Sequence, residues 1–148
     1  MRKKKAPELS LAVQYGCHDD ALPLRAQVRR WVSAALEQSV QLTVRFVDAQ
    51  EGRVLNRDFR GKDYATNVLT FVYETRPVTG DLVICTAVVQ REAREQDKPF
   101  KAHLAHMVVH GMLHLQGYDH ETGVADAARM EAREREILAR FGIPDPYV

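Results

Sequence analysis

Five of the six histidines lie between His103 and His120, at spacings that could hold a cation. The segment reads His110-Gly-Met-Leu-His114-Leu-Gln-Gly117-Tyr-Asp119-His120. On a helix, His110 and His114 stand four residues apart on one face, about 6 Å along the axis, so two imidazoles can converge on one ion. Gly117 lets the chain leave the helix through a conformation most residues resist, and the returning loop can bring His120 to the same ion. Three neutral ring nitrogens plus one water make the open tetrahedral site of a catalytic zinc. Nickel and copper also accept three imidazoles, so zinc is expected partly on cellular availability. His106 and His110 form a second i, i+4 pair that could in principle hold the ion instead. His106 lies two turns, about 12 Å, from His114 and cannot share its metal. It is expected behind the site or in the core, and His103 is expected to be exposed.

The spacing equals the HExxHxxGxxH of zinc peptidases, with Gly111 where their general-base glutamate stands. A peptidase needs that base to deprotonate water and then protonate the leaving amine. Ligand spacing without the base points to a metal-dependent hydrolase whose substrate has a less demanding leaving group. Asp119 and Glu121 could orient a histidine or act on water, with loop capping the alternative for each.

These side chains need a scaffold that the hydrophobic pattern outlines. Leu9 to Gln14 reads as a short strand. Asp19 and Asp20 precede a helix from about Leu22 to Gln38, with Leu24, Val28, Trp31, Val32 and Ala35 at helical spacing and Pro23 in its first turn. Val40 to Phe46 alternates with Gln41, Thr43 and Arg45, the half-buried strand pattern. A short helix follows over Ala49 to Phe59, broken at Gly61 and Lys62, then a β-rich run from Asn67 to Tyr73. Gly80 opens a strand, Asp81 to Cys85, feeding a helix to about Gln96. Pro99 introduces the histidine-bearing helix, Phe100 to about Leu115, and a last helix runs from about Val124 to Arg140 before Gly142 and Pro144. The expected class is α+β: one domain over 1–148, with about four strands in a mixed sheet packed against helices, one of them a zincin-like metal-binding helix. Periodicity does not give the strand order.

With 45% hydrophobic and 28% charged residues over 148 positions, the chain can bury a core and is not globally disordered. No apolar run approaches the roughly 20 residues of a membrane helix. Leu9 to Val13 is too short for the apolar region of a signal peptide, so a cytoplasmic location and no membrane partner are expected. Cys17 and Cys85 are too few for a disulfide scaffold and are expected as buried thiols. Residues 1–62 carry 12 Lys or Arg against 7 Asp or Glu, and residues 63–148 carry 9 against 13. That asymmetry permits contact with RNA. Residues 1–7 are expected to form a flexible basic tail.

With these residues in view, the sequence resembles the YbeY family of bacterial rRNA maturation factors, from about Val40 to Ile143. The most specific match is His110-Gly-x-Leu-His114-Leu-x-Gly117-Tyr118-Asp119-His120. Leu55-Asn56, Arg60 and Thr66-Asn-Val-Leu-Thr-Phe71 match the family's LN…R…TDVLSF block, and Gly80-Asp81-Leu-Val-Ile-Cys85 its next strand. Met130-Glu131 through Ile137-Leu138 and Gly142 match the closing helix. Asn67 stands where the family usually has Asp, and Thr70 where it usually has Ser. The first departure removes a negative charge near the site.

The resemblance implies a metal-dependent, single-strand-specific endoribonuclease acting in rRNA maturation, principally at the 3′ end of the small-subunit rRNA, and in ribosome quality control. It implies one zinc ion on His110, His114 and His120, with Arg60 and His114 in catalysis. The implied partners are an rRNA precursor, the small ribosomal subunit, ribosomal proteins and a ribosome-assembly GTPase. A guanidinium suits the first of these, because it can clamp a phosphate with two hydrogen bonds and stabilise transition-state charge. Arg57 and Lys62 are weaker candidates for backbone contacts and are expected to be solvated. Two rivals remain at this point: a non-catalytic ribosome-assembly factor with a structural metal, and a zincin-type peptidase, against which Gly111 stands.

Overall fold

A computed structural model describes residues 5–148, so the start of the expected basic tail lies outside the described residues. The elements are β1 (Leu9–Tyr15), α1 (Arg25–Ala34), β2 (Val40–Val47), α2 (Ala49–Arg60), β3 (Val68–Thr75), β4 (Val78–Cys85), α3 (Thr86–Glu95), α4 (Phe100–Leu115) and α5 (Val124–Ala139). The four strands form one mixed sheet in the order β1-β2-β4-β3. β1 and β4 both run parallel to β2, while β3 pairs antiparallel with β4 and forms an edge. The class is therefore the expected α+β.

Two differences from the sequence reading have local causes. α1 is shorter at both ends than the span from Leu22 to Gln38. At its start the Tyr15 hydroxyl donates to the Pro23 carbonyl. Beyond its end the Gln116 side-chain oxygen accepts from the Glu37 and Gln38 amides, drawing the chain away from a helical path. β4 begins at Val78, before Gly80, because its pairing with β3 continues through Glu74–Thr79 and Thr75–Val78. Gly80 lies within the strand, where an added Cβ would come 2.3 Å from the Phe71 carbonyl oxygen.

The larger core joins α1 (Val28, Trp31, Val32), α4 and α5 (Met130, Ile137, Leu138) to Val44, Leu82 and Ile84 of the sheet. A smaller cluster on the opposite face holds Leu69, Val83 and Cys85, with Leu55 of α2 packed against it. Because α4 is apolar nearly all round, it is buried between the sheet and its neighbouring helices. That overturns one expectation: His103 is only 4% exposed. At that position α4 faces its neighbours and not solvent. The thiols also differ from each other, Cys85 being buried and Cys17 only half-buried. No described helix is long and apolar enough to cross a membrane.

Candidate active site

α4 carries the histidines, and its termination sets two of them. Gly117, at φ +108°, turns the chain out of the helix. The Gly117 amide donates to the His114 carbonyl and the Tyr118 amide to the Leu113 carbonyl, closing the helix end. The same turn places the Tyr118 carbonyl 2.9 Å from His114 Nδ1. A carbonyl can only accept, so Nδ1 carries the proton and His114 Nε2 keeps a free lone pair. The loop then returns His120 to the helix. Its ring centre lies 5.0 Å from that of His110 and 6.2 Å from that of His114.

His110 is oriented by a residue the sequence reading overlooked. Its Nδ1 lies 2.6 Å from Glu134 Oε1, while His106 Nε2 lies 3.0 Å from Glu134 Oε2. The Tyr147 hydroxyl donates to the same Oε2. Glu134 is fully buried on α5. Burial alone would raise its pKa, but hydrogen bonds from His106, His110 and Tyr147 outweigh that and hold the carboxyl at about 2. Burial, together with the bond to Glu134, pushes the Tyr147 phenol well above its usual range, so it stays a donor. An ionised Glu134 takes the proton of His110 Nδ1 as a hydrogen bond and leaves Nε2 as the free ligand atom. Carboxylate-backed histidines of this kind are usual behind bound metals. A signal for Glu134 does exist in the sequence: it occupies the apolar stripe of α5, with Met130, Ile137 and Leu138.

The described residues hold two tight groups of ligand atoms, His106–His110–Glu134 and His114–Asp119–His120, each within 4.8 Å. The first is already satisfied internally by its hydrogen bonds. The three expected ligands thus straddle both groups, joined by the His110–His120 approach. Imidazoles meeting at a tetrahedral zinc, with about 2.0–2.1 Å bonds, have ring centres roughly 5 Å apart. The His110–His120 pair meets that distance, and His114–His120 is about 1 Å longer. The donor set and the free ring nitrogens fit a divalent ion. Asp119 Oδ1 accepts from the Glu121 amide, a loop cap, and leaves its second oxygen free.

These histidines open onto a cleft of about 590 Å³, lined also by Asn56, Arg60, Lys62, Tyr64 and residues 66–70. α2 sets Arg60 at its last turn: Asp48 caps its start through the Glu51 amide, and Gly61 ends it. Arg60 Nη2 donates to the Thr70 carbonyl at 3.0 Å, which holds the guanidinium over edge strand β3. No acid pairs with Arg60 among the described residues, whereas Arg57 is paired with Asp58 and Arg53 with Asp63. Arg57 and Lys62 are both exposed, and Lys62 also lines the cleft. Gly111, in the peptidase-base position, faces inward: an added Cβ would meet Leu82 Cδ2 at 2.8 Å and Val68 Cγ2 at 3.5 Å. A glutamate there would have to push the buried Leu82 side chain aside.

Residues 17–142 match the family model described as Endoribonuclease YbeY. The chain belongs to the YbeY family. An Endoribonuclease YbeY from Thiobacillus denitrificans is 62% identical over 145 residues, covering 96% of this chain and 98% of that one. One from Paraburkholderia phymatum is 56% identical over 152 residues, covering 97% and 98%. The solution structure of a Thermotoga maritima protein superposes with a TM-score of 0.63 at 29% identity, covering 86% of this chain and 87% of that one. The YbeY match begins at Cys17, well before the resemblance visible from Val40.

Asn67, at the position where the resemblance suggests Asp, has a role in the structure of this YbeY chain. Its side-chain amide donates to Glu92 Oε1 at 3.1 Å, and its oxygen accepts from the Val68 amide. Glu92 in turn lies 2.9 Å from His103 Nε2. Asn67 therefore ties β3 to α3 and α4 behind the cleft, as a neutral donor to a carboxylate. Asn67→Asp would set two carboxylates about 3 Å apart and raise the proton affinity of the pair, costing about 1–2 kcal/mol near neutral pH. With a folded-state pKa raised above the unfolded one, that loss is expected to shrink as pH falls. Thermal unfolding of parent and variant at pH 7.5 and pH 5 checks it; an equal gap at both pH values contradicts it.

Proposed function

We propose that this chain is a zinc-dependent endoribonuclease that cuts single-stranded rRNA precursor, principally at the 3′ end of the small-subunit rRNA, in the cytoplasm. The observation that carries this reading is the pairing, in one open cleft, of histidines with free ring nitrogens and an arginine without an acidic partner. Residues 1–148 act as one catalytic domain in this account.

His110, His114 and His120 are the proposed ligands through their free ring nitrogens. A divalent ion bound by them would supply Lewis acidity toward a phosphoryl oxygen or a water. Arg60 keeps the donors not used by Thr70 for a phosphate, where a planar guanidinium can bond two oxygens and offset charge that grows during phosphoryl transfer. Lys62, which also lines the cleft, adds a second cation. The Glu134 carboxylate keeps His110 in one tautomer and one orientation throughout the cycle. The small ribosomal subunit, ribosomal proteins and a ribosome-assembly GTPase are the partners this role implies.

The test is cleavage of a single-stranded RNA carrying the small-subunit 3′ end, beside the same sequence in a duplex. The single strand should be cut, the duplex spared, cutting stopped by a chelator and restored by zinc. The nearness of Asp119 to His114 and His120 favours one rival, in which Asp119 closes the coordination and the protein acts as a non-catalytic assembly factor. Asp119→Asn keeps the loop cap and removes the charge. The nuclease reading expects stoichiometric zinc to remain, and loss of the metal would favour the rival.

A further inference from the structure

We infer that the segment after α5, residues 143–148, locks the metal-binding histidine in place, with Tyr147 as a positioning residue. The inference rests on the reading of His110 as a ligand. Tyr147 reaches the site from beyond the matched family region, which ends at residue 142. Its hydroxyl donates to Glu134 Oε2. Its ring stands edge-on to His106, with centres 5.4 Å apart, and the Arg135 guanidinium lies 5.5 Å over it. The segment is pinned to the rest of the fold at two further points and braced by one internal turn. Arg135 Nε donates to Asp145 Oδ2 at 2.8 Å, Lys98 Nζ to the Pro146 carbonyl at 2.7 Å, and the Tyr147 amide to Asp145 Oδ1 at 2.9 Å.

The chemistry follows from how the Glu134 oxygens are shared. Oε2 takes His106 and Tyr147, which leaves Oε1 to His110 alone. With Oε2 held from two sides, the carboxylate plane is fixed, and the His110 ring is fixed with it. His110 Nε2 is then aimed before any ion arrives. Without the hydroxyl, Oε2 keeps only His106, and the carboxylate gains freedom to rotate on its side chain. A histidine that must be oriented at the moment of binding holds its metal less tightly, and removing such outer partners typically costs about 10–100-fold in affinity. A hydroxyl one step behind the supporting carboxylate belongs at the lower end, about tenfold.

Tyr147→Phe removes the hydroxyl and keeps the ring against His106. The experiment measures zinc affinity by competition with a coloured chelator, for parent and variant. Thermal unfolding of the metal-free proteins and two-dimensional proton–nitrogen spectra of the imidazoles accompany it. Expected are an affinity about tenfold lower in the variant and faster solvent exchange of the His110 Nδ1 proton, together with a lower metal-free unfolding temperature from the lost bond to a buried carboxylate. A purely structural role would lower the unfolding temperature alone and leave both the exchange of the His110 proton and the zinc affinity as in the parent. Equal zinc affinity in the two proteins overturns the lock while leaving His110 as a ligand. A parent that binds no zinc overturns the ligand reading, and the lock falls with it.

Discussion

Glu134→Ala is expected to destabilise the protein by about 3–5 kcal/mol, because His106, His110 and Tyr147 would each lose a buried charged acceptor at once. Folded domains are stable by only about 5–15 kcal/mol, so the loss takes a large share of the whole and should lower the unfolding temperature by roughly 10–15 °C. The pH dependence has a defined sign. The carboxyl is held at about 2 in the fold, below the roughly 4.3 of a free glutamate. Its contribution is therefore complete above the unfolded value and is lost as pH falls through about 2, so parent and variant should converge in acid. Glu134→Gln separates stability from function. Its amide oxygen can still accept two hydrogen bonds, but its NH2 presents protons to a histidine that already carries one. The amide oxygen keeps most partners at the Oε2 position, with His106 and Tyr147. The NH2 then faces His110, and that ring must move its proton to Nε2, the atom proposed to hold the metal. Glu134→Gln should thus fold better than Glu134→Ala yet bind zinc poorly, which calorimetry and chelator competition can measure together. Parent-like zinc binding by Glu134→Gln would contradict the assigned orientation of His110.

Arg60→Ala is expected to do the reverse. The side chain is exposed and makes one hydrogen bond, to the Thr70 carbonyl, so stability should change by less than about 0.5–1 kcal/mol. Zinc content should be unchanged. Cleavage of single-stranded RNA should fall by about 10²–10³-fold, the usual cost of removing one preorganised donor from developing transition-state charge. A lysine there restores the charge but not the paired donors, so Arg60→Lys should recover only part of the rate. Single-turnover rates at saturating enzyme measure this without interference from binding. Parent-like rates in Arg60→Ala would remove Arg60 from the mechanism.

The parts of the site legible in the sequence are those built within one helix and its exit. His110 and His114 share a face because the helical repeat requires it, and Gly117 marks where the chain turns toward His120. The parts that were not legible depend on which helices touch. Glu134 is 24 residues from His110, in a helix rich in glutamates, and only its place on the apolar stripe sets it apart from Glu131 and Glu136. Tyr147 belongs to no periodic segment, so no pattern points to it. His103, expected to be exposed, is buried because α4 has the sheet on one side and helices on others; Glu92, itself held by Asn67, satisfies the ring at Nε2. Gly111 reads as a missing catalytic base in the motif. In the fold it is the point where α4 comes close to Leu82 and Val68. The strand order likewise came only from the structure, and it is what sets β3 at the edge, beside Arg60 and the cleft.

The most direct test of the account is to purify the parent, His114→Ala and Arg60→Ala side by side, then measure zinc content and cleavage of a single-stranded RNA bearing the small-subunit rRNA 3′ end. One zinc per chain is expected in the parent and in Arg60→Ala, little in His114→Ala, and cleavage by the parent alone. Equal cleavage by all three, or cleavage by a metal-free His114→Ala, would contradict it.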